Sequence, residues 1–338
     1  MNITVLGAGA WGTALAISLA ANHRVTLWAR DAGQVESMRA THLNQRYLPG
    51  IPLPATLGLS ADFSAALSSA DMAIIAVPTG ALRATLQQLA QSVQRPPEAR
   101  RAGFGVIWLC KGFEAKTSQL PHQVADEVLP ESFRRGVLSG PSFAQEVARG
   151  LPTALTLASG DDEFACSTAQ ALHHAKLRIY ASNDVIGVEV GGAVKNVMAI
   201  ATGICDGMGL GHNARAALLT RGLAEITRLG LKLGGRPETL GGLSGVGDLV
   251  LTCTGDLSRN RQVGLLVAQQ HGLPDILDKL GHVAEGVYTV REVHALAQRL
   301  GVKMPISEAV YRILYENAPA KEMATELLNR APSQEFNP

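Results

Sequence analysis

Only four cysteines occur in the 338-residue chain, Cys110, Cys166, Cys205 and Cys253, and no two of them form a Cys-x-x-Cys pair. The spacing suggests neither a zinc site nor a disulfide framework, and a reducing cytoplasm fits such usage. The nine histidines include an adjacent pair, His173-His174, but no His-x-x-x-His and no Cys/His cluster at ligand spacing, so no metal is expected. Excess charge is missing as well. Thirty basic residues stand against twenty-nine acidic ones for a formal charge of +1, which gives no electrostatic reason to expect nucleic acid or an anionic membrane. An acidic small substrate would have to find local basic residues. Internal repeats and low-complexity runs are absent. Residues 3–22 carry no charge, but they lack a basic segment in front and are broken by glycines, unlike a signal peptide or membrane span. The later apolar stretch 186–210 contains Glu189, Lys195 and Asp206, each costly in a bilayer. No membrane segment is expected.

What the chain does have begins at once. Residues 2–6 are a short apolar run rich in β-branched side chains, Gly7-Ala8-Gly9-Ala10-Trp11-Gly12 follows, and residues 13–21 read as a helix. In that order, Gly7 allows the tight turn, Gly9 lets backbone approach a pyrophosphate, and Gly12 lets the helix pack close to the strand. The first helical turn offers N–H groups to an anion. A second strand over 24–28 ends where this fingerprint places the group that reads the adenosine ribose, and that place holds Arg30 with Asp31 beside it. A guanidinium there favours a 2′-phosphate, hence NADPH, and Asp31 keeps NADH open. A bare glycine turn with a solvated arginine is the plainer reading.

Length predicts two domains. Up to about residue 180, strands and helices alternate, the sign of βαβ units and a largely parallel sheet. Strands are expected at 72–77, 106–110, 136–138, 153–158 and 177–181, and helices at 32–41, 80–91 and 163–173, with another short one ending at 149. Residues 47–54 read as a proline-punctuated loop and 95–103 as a polar connection. Beyond residue 182 the strand signal stops, and helices are expected at 186–203, 214–233, 260–271, 289–300 and 305–315. The predicted class is α/β, an N-terminal Rossmann-like doubly wound domain (1–183) followed by an all-α C-terminal domain (184–330) and a tail (331–338).

Four places could carry chemistry. Lys111 follows Cys110 at a strand end, where ligands gather in open parallel sheets, although a surface lysine on a turn would look the same. Lys195, in Gly191-Gly192-Ala193-Val194-Lys195-Asn196, lies inside an apolar helix, where an ammonium needs a partner, a cavity or a ligand unless it snorkels to solvent. Burial would lower its pKa toward the range of a general acid or base. Asp248, in Gly245-Val246-Gly247-Asp248-Leu249, could position Lys195, accept a substrate hydroxyl, or merely cap a helix. Ser258-Arg259-Asn260-Arg261 gathers anion-binding groups at a helix start, or is a capped helix with solvated arginines.

Taken in order, residues 7–12, Lys111-Gly112-Phe113-Glu114, Ser139-Gly140-Pro141-Ser142, residues 191–196, residues 245–249 and Ser258-Arg259-Asn260-Arg261 resemble the bacterial NAD(P)-dependent glycerol-3-phosphate dehydrogenases over nearly the whole chain. The resemblance implies that NADPH or NADH reduces dihydroxyacetone phosphate to sn-glycerol 3-phosphate, with Lys195 as the catalytic proton-transfer residue. It implies substrate contacts at Lys111, Gly140, Ser142, Lys195, Asp248, Ser258, Arg259 and Asn260. Cofactor contacts are implied at Gly7, Gly9, Ala10, Trp11, Gly12, Arg30, Lys111, Ala144, Arg259, Val283 and Glu285. A cytoplasmic enzyme of glycerophospholipid synthesis follows from the same likeness, with no nucleic acid, no membrane span and a homodimer left open. Two rivals share parts of the pattern. A related 3-hydroxyacid or 6-phosphogluconate type reductase would favour asparagine four residues after the central lysine, where this chain has Ala199. A non-catalytic NADPH sensor would have no need of Lys111, Lys195, Asp248 and Arg259 together.

Overall fold

The computed structural model describes residues 1–93, 103–281 and 284–330. The expected connection over 95–103, apart from its last residue, and the tail over 331–338 lie outside the described residues. The chain forms two compact units. The first takes Met1–Cys110 and Pro121–Val185, and the second takes Lys111–Leu120 together with the chain from Ile186 onward.

The first unit is built on an eight-stranded sheet in the order β10-β9-β8-β7-β6-β1-β2-β5. Its strands are β1 (Asn2–Leu6), β2 (Arg24–Trp28), β5 (Gly58–Ser60), β6 (Met72–Ile75), β7 (Gly105–Trp108), β8 (Arg134–Ser139), β9 (Thr153–Ala158) and β10 (Leu177–Ser182). The pairing is parallel except between β8 and β9, where Val137 faces Ala158 in antiparallel register. β1, β6 and β7 are apolar and covered on both faces, as central parallel strands are. Helices α1 (Ala10–Leu19) and α7 (Asp162–Leu172) flank the sheet, and α7 is capped by Asp161, which accepts from Phe164 N at 2.9 Å. The strand order reverses at β1, which lies between β6 and β2. In open sheets that reversal is where a crevice forms beyond the strand ends.

Two differences from the sequence reading matter here. Helix α1 begins at Ala10, three residues before the expected start, so Trp11 and Gly12 lie in its first turn. The proline-rich stretch is not loop throughout: β4 (Leu48–Pro52) pairs antiparallel with β3 (Leu43–Asn44) in a two-stranded hairpin. Proline removes an amide donor, which a two-stranded ribbon with open edges tolerates, and Pro49 and Pro52 are both exposed.

The second unit contains helices and no strand among the described residues. At its centre runs α8 (Val185–Gly207), long and apolar enough to cross a bilayer by composition, yet 89% of its apolar window is buried inside the protein. It is a core helix. Around it pack α9 (Gly211–Leu233), α12 (Arg259–Ala268), α14 (Glu285–Leu300) and α15 (Pro305–Tyr315), with Val194, Val197, Ile200, Val263, Val290 and Val310 in one apolar cluster. The segment 111–120 belongs to this cluster through Phe113 and Leu120, and Ser118 Oγ donates to Glu292 Oε2 of α14 at 2.7 Å.

Small residues set the spacing of α8 and α12. A Cβ on Gly264 would lie 2.1 Å from the Ile200 carbonyl oxygen and 2.7 Å from Ile204 N, and one on Gly203 would lie 2.1 Å from the Arg261 carbonyl oxygen. These obstacles are backbone and cannot rotate away. Gly264→Ala must therefore push the helices apart, at a cost of about 2 kcal/mol or more by analogy with overpacked cores. A urea titration should show a lower midpoint, and an unchanged midpoint would mean the helices give way freely.

Candidate functional site

The glycine turn of the first unit has the form the sequence suggests. Gly7 adopts φ +124°, and a Cβ there would lie 2.5 Å from the Ala76 carbonyl oxygen beyond β6. A Cβ on Gly12 would meet the Gly7 carbonyl oxygen at 2.0 Å, so only glycine lets α1 start against the turn. Gly9 has open space where its Cβ would be, and as N-cap of α1 it brings no side chain to the first helical amides. That combination, an open approach over a ten-residue helix start, fits the pyrophosphate of a dinucleotide. Ala10 is the first residue of α1, and half-buried Trp11 packs its ring on the apolar cluster beneath. Arg30 is exposed just past β2. Asp31 caps α2 (Ala32–Thr41), its Oδ1 accepting from Gly33 N at 2.9 Å and Gln34 N at 3.3 Å.

After β8 the backbone turns at Gly140, φ +132°, and Ser142 Oγ donates back to the Gly140 carbonyl oxygen at 2.9 Å. Ala144 opens the five-residue helix α6 (Ala144–Ala148).

In the second unit three of the candidate residues meet. Lys195 Nζ donates to Asp248 Oδ1 at 2.5 Å, and Lys111 Nζ donates to Asp248 Oδ2 at 2.7 Å. One carboxylate thus holds two ammonium groups, and Asp248 is 1% exposed, so water does little to screen them. Lys195 is carried by α8 and does not snorkel: it is 6% exposed and also donates to Thr252 Oγ1 at 2.8 Å. Burial drives the Lys195 pKa down to about 8, with the Lys111 charge pushing the same way and Asp248 pulling it back up. The neighbouring Cys253 thiol is pushed up to about 12 by burial and stays protonated.

Asp248 is the first residue of α11 (Asp248–Thr254), and the N-cap is Gly247. The turn before it, Leu243–Gly247, is a single π-helical turn closed by Gly247 N to the Gly242 carbonyl oxygen at 3.0 Å. Such turns are frequent at functional sites because they redirect side chains. Glycine makes this one fit, since a Cβ on Gly191 of α8 would lie 2.6 Å from the Ser244 carbonyl oxygen.

Ser258 caps α12 by accepting from Arg261 N at 3.3 Å, and Arg259 is exposed in the first turn. Arg261 is a structural group, bound to Asp206 at 2.8 Å and Asp256 at 3.0 Å. Asn260 Nδ2 donates to Asn196 Oδ1 at 2.9 Å, and Asn260 Oδ1 accepts from Gly286 N at 3.0 Å, next to Glu285 at the start of α14. Val283 lies outside the described residues. The sequence reading missed Thr252 and Asn196 as parts of the site. Their signals were position: Thr252 is four residues after Asp248 on one helix face, and Asn196 adjoins Lys195.

Residues 2–165 match the family model described as NAD-dependent glycerol-3-phosphate dehydrogenase N-terminus, and residues 184–325 match the C-terminus of the same family. The chain belongs to this glycerol-3-phosphate dehydrogenase family. It is 61% identical over 336 residues to the glycerol-3-phosphate dehydrogenase [NAD(P)+] of Thiobacillus denitrificans, spanning 99% of this chain and 100% of that one. The enzyme of the same name from Nitrosospira multiformis is 57% identical over 340 residues, 99% of this chain and 100% of the relative. Among solved structures, the glycerol-3-phosphate dehydrogenase of Coxiella burnetii aligns with a TM-score of 0.91 at 43% identity, covering 97% of this chain and 99% of that one. The family match thus extends along both units.

Proposed function

We propose that the chain reduces dihydroxyacetone phosphate to sn-glycerol 3-phosphate, reversibly, with Lys195 as the proton donor. The observation that carries this reading is the buried Lys195–Asp248–Lys111 cluster, in a chain that matches the glycerol-3-phosphate dehydrogenase family over both units. The first unit binds the dinucleotide on its glycine turn, at Gly7, Gly9, Ala10, Trp11 and Gly12, with Arg30 at the adenosine end. The relatives' names allow either nicotinamide nucleotide. A bound NADPH or NADH supplies the hydride to the carbonyl carbon.

The second unit binds the substrate and handles the proton. Arg259, exposed at the start of α12, holds the phosphate with Ser258 and Asn260, and a charge-assisted bond of that kind contributes on the order of 1.5–3 kcal/mol. Lys195 gives a proton from Nζ to the carbonyl oxygen as that oxygen gains negative charge, and is left neutral until water reprotonates it. Asp248 aims Lys195 and keeps it charged, and Lys111 adds a second cation beside the oxygen. In the oxidative direction neutral Lys195 takes the hydroxyl proton. Gly140, Ser142, Ala144, Val283 and Glu285 complete the contacts in this reading. The product feeds glycerophospholipid synthesis, the enzyme works in the cytoplasm, and sedimentation velocity tests whether it forms a homodimer.

Oxidation of NADPH or NADH on addition of dihydroxyacetone phosphate tests the reading. Turnover on a carboxylate substrate alone would contradict it in favour of a hydroxyacid reductase, and cofactor binding with no turnover would favour a sensor. The rate also carries a pH signature. Reduction needs protonated Lys195, so its rate should be level below about pH 8 and fall tenfold per unit above, whereas oxidation should rise toward pH 8 and then level off. Parallel pH profiles in the two directions would contradict a lysine donor.

A further inference from the structure

The hairpin tip that follows α2 is tied to the glycine turn by a buried side chain. Asn44, 1% exposed, donates through Nδ2 to the Ala8 carbonyl oxygen at 3.0 Å and to Thr13 Oγ1 at 2.8 Å. Its Oδ1 accepts from Tyr47 N at 3.4 Å, which fixes the start of the tip, and Gln34 Nε2 reaches the same Ala8 oxygen at 2.9 Å. The tip therefore holds its place relative to the turn that cradles the pyrophosphate. It carries Arg46, whose Nη1 stands 3.8 Å from Asp31 Oδ2, one residue beyond Arg30. The Arg46 guanidinium lies 5.1 Å from the centre of the Tyr47 ring, within cation–π range.

This arrangement changes the part played by Asp31. A free carboxylate after the second strand would bind a ribose 2′-hydroxyl and repel a 2′-phosphate. Here one oxygen of Asp31 is taken by the amides of α2, and the other faces a guanidinium. Both side chains are more than half exposed, so their pairing is weak and Arg46 can turn to a stronger anion at little cost.

We propose that Arg46 is a cofactor-specificity residue, the second guanidinium beside Arg30 that receives the 2′-phosphate of NADPH. Two planar forks offer a doubly charged phosphate several paired donors, and Arg46 also offsets the repulsion from Asp31. NADH has nothing at that position for either arginine to hold. The proposal rests on the reading that the glycine turn binds a nicotinamide dinucleotide.

The test is a fluorescence titration of NADPH and of NADH against the unmodified protein, Arg46→Ala, Arg30→Ala and, as a control arginine on the same unit, Arg39→Ala. Arg39 is occupied by Glu36 and the Leu59 carbonyl oxygen. Arg46→Ala is expected to raise the Kd ratio of NADPH to NADH by about fivefold to twentyfold, the range for an exposed charge-assisted contact. Arg30→Ala should raise it comparably, Arg46→Lys should restore part of the loss, and Arg39→Ala should leave the ratio unchanged. An unchanged ratio in Arg46→Ala, or an equal loss in Arg39→Ala, would overturn the assignment while leaving dinucleotide binding in place. Failure of the unmodified protein to bind either nucleotide would overturn the cofactor reading and this proposal with it.

Discussion

Lys195→Ala is expected to lower dihydroxyacetone phosphate reduction by roughly 10²–10⁴-fold, the range for a positioned general acid. The loss should fall on kcat far more than on the affinity for NADPH or NADH, because the cofactor residues proposed here lie mainly in the other unit. The fold should survive. The lysine is already disfavoured as a cation in the core, as its pKa near 8 records, so removing it lifts a desolvation cost even as it strands Asp248 with Lys111 alone. Stopped-flow turnover with a thermal melt checks both halves. A variant that melts with the unmodified protein and still turns over at its rate would move the proton donor elsewhere, with Lys111 the next group in line.

The second large effect is expected at Asp248. Asp248→Asn keeps the shape but replaces the one carboxylate that two ammonium groups share. The attraction that raises the Lys195 pKa is then lost, while burial and the Lys111 charge, which both lower it, remain. The break in the reduction profile should move down from near pH 8, and if it moves by about one unit or more, at pH 8 that shift alone lowers the protonated fraction of the lysine at least about fivefold. Loss of aim adds to this, so a fall on the order of 10²-fold is expected at pH 8, with partial recovery at pH 6. Destabilisation should be modest, because Lys195 can escape an unpaired charge by releasing its proton. An unshifted profile would mean that Asp248 binds substrate without governing Lys195.

The parts of this site legible from sequence were those carried by contiguous residues. Gly7, Gly9 and Gly12 declare their roles through fixed spacing after a strand, and Lys195 stands out because an ammonium inside an apolar helix is costly. Sequence leaves the role of Asp248 open between helix cap, counter-ion to Lys195 and acceptor of a substrate hydroxyl, since its placement depends on the π-helical turn before it, which no periodicity reveals. Lys111 could be read as a cation at a strand end. That residues 111–120 pack with the helical unit depends on Phe113, Leu120 and the Ser118–Glu292 bond, all contacts across more than fifty residues of sequence. The hairpin at Asn44 and Leu48–Pro52 was hidden by its prolines, and with it Arg46. Short helices such as α5 (Pro121–Val128) and α13 (Leu273–Leu280) escaped because eight residues give barely two turns of pattern.

The central claim is that Lys195 passes the proton, and chemical rescue tests it most directly. Dihydroxyacetone phosphate reduction would be followed in Lys195→Ala, loaded with NADPH, with and without primary amines small enough to enter the vacated space. The account predicts turnover that rises with amine concentration and varies with the pKa of the amine. Full turnover without amine, or cofactor and substrate bound with no response to any amine, would contradict it.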